Sequence, residues 1–244
     1  MLNFFLKNLL WHLKNYKFFN NFIIYYFYYS LTKILRLFVK DFDSSNKWCE
    51  KNIAKSKLIK KKFLNSKSFK KINFKKAKKK SAANVNLLFS IIKNNKKTKK
   101  ILETGVSFGY SSYAILEPIK KRYNSFLYSI DMPYVELSNH NYVGSVVPKN
   151  LRSKWRLFKC PDRYGINQIS KMNIKFDLIH YDSDKTYFGR YSAYTKLYNL
   201  LKKGGIFISD DIGDNHAFKN FVNNKKINFY IVEYRKKYQG LFIK

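Results

Sequence analysis

The residues able to do chemistry gather at a few points of this chain. Glu103-Thr-Gly105-Val-Ser107-Phe-Gly109-Tyr-Ser-Ser112 is a glycine-containing turn following a short apolar run. Asp131 ends a second apolar run, Asp162 follows Cys160-Pro161, and His180-Tyr-Asp182-Ser-Asp184-Lys185 ends another run. Ser209-Asp210-Asp211 ends one more, with His216 a few residues on. Glycines at a strand-to-helix turn let a ligand approach the backbone, and the helix start offers N–H donors. Several carboxylates in one cleft repel unless a proton or cation lies between them, and hard oxygen ligands of that kind suit Mg²⁺. Gly105-Val-Ser107-Phe-Gly109 also matches a nucleophile elbow, with Asp182 or Asp210 and then His216 in the order a serine hydrolase needs. Against that reading, the elbow follows the first strand and no oxyanion segment precedes it, only lysines. Asp131 would also have no role.

These residues need a scaffold that brings strand ends together. Apolar residues 85, 88, 89 and 92 give a helical stripe, and the C-terminal part begins at Ser81. Short apolar runs at 100–105, 125–131, 155–160, 176–182 and 205–210 read as strands, with helices over 110–121 and 187–201. Runs at 227–234 and 240–243 are too close for a crossover and form an antiparallel hairpin. The expectation is an α/β, Rossmann-like, mostly parallel seven-stranded sheet with a C-terminal antiparallel hairpin. Ligands collect outside the carboxyl ends of such strands, where Glu103, Asp131, Asp162, Asp182 and Asp210 stand.

Glu103-x-Gly105-x-x-x-Gly109, an acid ending the next strand and the closing hairpin together resemble the class I S-adenosylmethionine-dependent methyltransferases over about residues 85–244. The resemblance implies that Glu103, Gly105, Ser107, Gly109, Ser112, Asp131 and Asp162 bind S-adenosylmethionine, with Asp131 on the ribose hydroxyls. The segments at strands four and five resemble those of metal-dependent sugar and catechol O-methyltransferases. That likeness implies Mg²⁺ on Asp182, Asp210 and Asp211, with Asp182 and His216 as catalytic candidates. Ser183 and Lys185 replace that subgroup's glycine and histidine. His180, inside a strand, reads as a packed residue. The Asn/Asp-Pro-Pro-Tyr/Phe segment of enzymes acting on base nitrogens is missing. The expected reaction is O-methylation of a sugar or other hydroxylated small molecule, a glycan included.

The chain has 244 residues, a net charge of +34, 45% hydrophobic and 18% aromatic residues, which excludes wholesale disorder. Its first hundred residues contain only three acids, Asp41, Asp43 and Glu50. Such a balance attracts anionic partners, although abundant Lys, Asn, Ile, Phe and Tyr are also what AT-rich coding drift leaves. Residues 1–80 form a basic, aromatic-rich helical extension ahead of a domain at 81–244. Within 1–40 the apolar stretch Phe18–Leu31 is too short and too punctuated to span a bilayer. With flanking lysines it fits a helix on an anionic membrane surface. Packing on the domain, or on a second subunit of a homo-oligomer, is the other reading. The lysine run at 51–80 reads as a solvated helix or linker, with RNA binding the alternative. Two distant cysteines, Cys49 and Cys160, exclude a disulfide framework and point to a reducing cytoplasm, with the inner membrane surface as the docking place.

Overall fold

The computed structural model describes residues 2–38, 44–53, 84–132 and 142–244. The lysine run from residue 54 onward and the boundary at Ser81 lie outside them. Seven strands form one sheet: β1 (Lys100–Thr104), β2 (Phe126–Asp131), β3 (Trp155–Lys159), β4 (Phe176–Tyr181), β5 (Leu201–Ser209), β6 (Phe229–Tyr234) and β7 (Lys237–Ile243). Their order is β3-β2-β1-β4-β5-β7-β6. The first five are parallel, and β7 runs antiparallel between β5 and β6. Arg235 and Lys236 both take positive φ, the backbone twist a two-residue hairpin turn requires. Strand β5 starts at Leu201, earlier than the expected Gly205. Leu201 already pairs with Phe176, and a register shift separates that pair from Leu178↔Ile206.

Helices cover both faces of the sheet. On one face α4 (Val85–Asn94) and α5 (Tyr110–Ile119) bury Leu88, Ile91, Ile115 and Leu116 against Leu127, Leu178 and Ile208. On the other, α6 (Asp162–Ser170), α7 (Tyr187–Leu200) and α8 (Ala217–Asn224) cover Ile130, Ile179 and Phe207. The alternation of side chains along a strand sends neighbouring residues to opposite layers. Asn84 accepts from the Leu87 amide and Thr186 from that of Gly189, which caps α4 and α7.

The N-terminal extension packs on the same body. Helices α1 (Leu2–Lys14) and α2 (Phe19–Phe38), linked by a 3₁₀ turn at Tyr16–Phe18, interlock through Phe5, Phe22 and Tyr26. Phe18 meets Tyr164 edge-on and Tyr28 lies against Phe188, so the pair sits over α6 and α7. Helix α3 (Asn46–Asn52) buries Cys49, and Ser45 Oγ donates to the Ile212 carbonyl at 2.6 Å. Among the described residues no helix is long and apolar enough to cross a membrane.

Candidate functional site

Gly105 sits where three strand ends meet. Its amide donates to Ile130 O at 2.9 Å, while Asp182 N donates to Thr104 O at 2.9 Å. With φ at +83°, an added Cβ would come 2.1 Å from the Asp182 carbonyl oxygen. Only glycine lets the turn lie against the β4 end so closely. The turn then runs through Val106 and Ser107, whose amides both donate to Asp131 Oδ2, at 3.0 and 2.6 Å. Gly109, also at positive φ, caps α5 without a side-chain bond.

A cavity of about 700 Å³ opens along these strand ends. Gly105, Ser107, Asp131 and Asp162 line it together with Asp182, Lys185 and Asp211. Residues Tyr110 and Ser111, at the start of α5, also face it. Burial pushes the Asp131 carboxyl up to about 6 against the pull of the two amides. Asp162 accepts from Ser183 Oγ at 2.8 Å, and the same hydroxyl reaches Thr104 Oγ1 at 3.0 Å, which ties the β3 and β4 ends together.

Three expected cofactor contacts lie elsewhere. Glu103 is fully buried and accepts from Ser112 Oγ at 2.6 Å and Ser129 Oγ at 2.7 Å, with Trp155 Nε1 behind Ser129 at 2.8 Å. Strand register explains this, because Glu103 pairs with Ser129 on β2 and with His180 on β4. Glu103 and Ser112 therefore brace the sheet and its first helix from inside. Gly109 packs against Gly144, where a Cβ would meet the Gly144 Cα at 2.7 Å, so it supports the turn without touching the cavity.

The three carboxylates expected to hold Mg²⁺ do not converge. Asp210 turns into the core, accepts from Gln239 Nε2, and lies 3.6 Å from His180 Nε2. His180 Nδ1 is 3.8 Å from Glu103 Oε1. Burial opposes a charge on His180, but the carboxylates of Asp210 and Glu103 outweigh it and push the imidazole up to about 10. Asp182 and Asp211 do face each other, and the ammonium of Lys185 fills the space between them, at 2.5 and 3.1 Å. Lys237 holds Asp211 from the far side at 2.9 Å. Among the described residues no group of three metal-ligating side chains forms. This donor set does not fit a three-carboxylate Mg²⁺ site; a fixed cation of the chain stands there instead.

Charges in that cluster respond to one another. Burial raises Asp182 to about 6 despite Lys185 and with help from Asp210. Asp211 stays below the usual carboxylate range, because Lys185 and Lys237 outweigh its burial. Lys185 is likewise held charged, since Asp182 and Asp211 outweigh the burial that opposes its charge. His216, the other expected catalytic group, lies outside the cavity wall. Its Nε2 lies 3.0 Å from the Ser44 carbonyl and it starts α8, so its task is to seat the segment before α3. The hydrolase reading needs His216 beside Ser107, and the structure does not bring these two together.

The far wall of the cavity comes from a part of the chain where sequence alone showed no site. Phe4, Asn8 and His12 on α1 and Asn21, Phe22, Ile24, Tyr25 and Tyr28 on α2 close it. His12 Nδ1 lies 2.8 Å from the Asn8 carbonyl and burial lowers its pKa, which keeps the ring neutral. The i, i+4 spacing of Phe4, Asn8 and His12 marks one helix face, but nothing in it says what that face covers.

A family model described as a methyltransferase domain matches residues 102–212. Among solved structures, the O-methyltransferase of Bacillus cereus in complex with S-adenosylhomocysteine is similar at 13% identity and a TM-score of 0.55, over 80% of this chain and 100% of that one. The O-methyltransferase TomG of Streptomyces achromogenes, in complex with S-adenosylmethionine, is similar at 14% identity and a TM-score of 0.50, over 68% of this chain and 82% of that one. No curated protein sequence matches the chain.

Proposed function

We propose, for a chain that carries a methyltransferase domain over residues 102–212 on the class I, S-adenosylmethionine-dependent fold, that it methylates a hydroxyl oxygen of a small, ring-containing acceptor. The observation that carries this reading is one cavity lined by two unlike groups of residues. We assign the glycine turn, Asp131 and the start of α5 to a cofactor end, and the Asp182–Lys185–Asp211 cluster to an acceptor end. Its volume lies in the range of pockets that take small molecules.

The first end suits the cofactor. Asp131 offers a carboxylate to vicinal hydroxyls, and the α5 N-terminus offers amides to a carboxylate. Asp162 supplies a further acceptor beside it. When bound, S-adenosylmethionine supplies a methyl group on a sulfonium, a leaving group that departs as a neutral thioether. The residues of the chain need to hold the acceptor in line and remove its proton. Asp182, raised to about 6, is ionised at neutral pH and still basic enough to take the hydroxyl proton. Lys185 beside it keeps its charge and stabilises the oxygen as negative charge develops there.

Phe4, Phe22, Tyr25 and Tyr28, which share that wall with Asn8, His12 and Asn21, offer an aryl ring its packing partners and so support an aryl hydroxyl. A phenol is also the easier group to deprotonate, at a pKa near about 10 like that of tyrosine. Calorimetry with S-adenosylhomocysteine tests the cofactor end, and a screen of phenols and sugars with labelled S-adenosylmethionine tests the other. The expected outcome is product from catechol-like or other phenolic acceptors, and cofactor binding weakened at least about tenfold in Asp131→Ala, a loss of about 1.4 kcal/mol. Unchanged binding in that variant would refute the assignment of the cofactor end.

A further inference from the structure

Helices α1 and α2 have two faces, and the cavity uses only one. At about 100° per residue, Phe4, Asn8 and His12 lie on one side of α1, and Leu6, Leu10 and Leu13 on the opposite side. On α2 the cavity takes Asn21, Tyr25 and Tyr28, and the opposite side carries Ile23, Phe27, Ile34 and Leu37. Among the described residues, every exposed large apolar side chain except Tyr123 and Met172 falls within residues 2–38. Phe27 is 61% and Leu37 81% exposed, values foreign to a core stripe. Two helices with a continuous apolar outer stripe demand a partner.

Charge selects among the partners. Residues 2–38 contain no acid, and Lys7, Lys14 and Lys33 are exposed beside the apolar stripes. A second copy of the chain would set these cations against their equivalents, in a protein already at +34. Nucleic acid would take the lysines but leave Leu10, Phe27 and Ile34 in water. An anionic lipid surface satisfies both, since the acyl boundary accepts the stripes and the headgroups accept the lysines. We infer that α1 and α2 form an interfacial anchor that lays their outer face on an anionic bilayer, with the cavity directly beneath.

Co-sedimentation of the full chain with phosphatidylcholine vesicles, with and without phosphatidylglycerol, tests the inference. The expected result is pelleting with the phosphatidylglycerol vesicles only, weakening as salt rises. A triple variant, Leu10→Glu with Phe27→Glu and Ile34→Glu, should bind them at least about tenfold more weakly. Its thermal transition should be unchanged, because all three side chains are exposed. Equal pelleting with neutral vesicles, or none with either, would overturn the proposal. So would a dimer that this variant dissociates, or salt-sensitive RNA retention that it leaves intact.

Discussion

Replacing Lys185 by Met removes the one cation shared by Asp182 and Asp211 while keeping the length and apolar stem of the side chain. Its Nζ stands 2.5 Å from Asp182 and 3.1 Å from Asp211, so both carboxylates lose a partner. Asp182 already sits at about 6 through burial and Asp210, with Lys185 pulling the other way. Opposite charges at 2.5 and 3.1 Å are worth about 5 to 7 kcal/mol at an effective dielectric of 20, but the lysine is 39% exposed and solvent takes most of that. A remaining coupling of about 1.4 to 2.7 kcal/mol corresponds to about one to two pKa units. The acid limb of kcat/KM should therefore move from near 6 to between about 7 and 8. At neutral pH the ionised fraction of Asp182 would fall from about nine-tenths to between half and one-tenth, and loss of the ammonium beside the acceptor oxygen would lower the plateau further. A pH profile of kcat/KM with labelled cofactor reads both effects, and Lys185→Arg should keep the limb near its original place. An unmoved limb in Lys185→Met, or a parallel loss of S-adenosylhomocysteine affinity, would refute the assignment of Asp182 as the base.

Two further predictions follow from the same geometry. Because Lys185 occupies the space between Asp182 and Asp211 and Asp210 points away, turnover should persist in EDTA; loss of activity restored by Mg²⁺ would show that the carboxylates regroup around a metal. His180→Phe should leave Glu103 and Asp210 buried without their cation and cost about 3–5 kcal/mol in denaturant unfolding. The folded-state pKa of about 10 lies above the ordinary 6.5, so the contribution of His180 is full below 6.5 and disappears as pH rises through 10. The stability gap between wild type and variant should shrink over that window, and a constant gap would mean that the imidazole is neutral.

The elements were legible because they depend on local pattern. Runs such as Ile101-Leu102 and Leu178-Ile179 are apolar on both faces, as strands covered by helices must be. The turn at Gly105 and the strand-end position of Asp131 were legible for a related reason, since a turn at positive φ and an acid ending a strand constrain neighbours close in sequence. The expected convergence of the three carboxylates was not legible in the same way. Position along the chain places Asp182, Asp210 and Asp211 at adjacent strand ends, but side-chain direction decides what meets. Asp210, at the inner turn of β5, points toward His180, whereas Asp211, at φ of 54°, swings out to Lys185 and Lys237. Lys185 itself read as a departure from a pattern, although its i+3 spacing from Asp182 is what lets it fold back over that carboxylate.

The roof was illegible for a different reason. Nothing local ties Phe4 or Tyr25 to Asp182, more than a hundred residues away; they line one cavity because the N-terminal helices dock on the domain, where Phe18 meets Tyr164 and Tyr28 meets Phe188 and Arg163. The sequence showed an aromatic-rich, lysine-flanked stretch, and a single apolar face on each helix would have sufficed for packing on α6 and α7. The apolar residues exceed that need, and the excess lies on the side away from the cavity. On the proposed reading an acceptor beside Asp182 would rest against Phe4, Phe22 and Tyr25, because one face of α1 and α2 lines the same cavity as that carboxylate. Whatever holds the outer face of these two helices, with its leucine, isoleucine and phenylalanine, would then also shape the acceptor site.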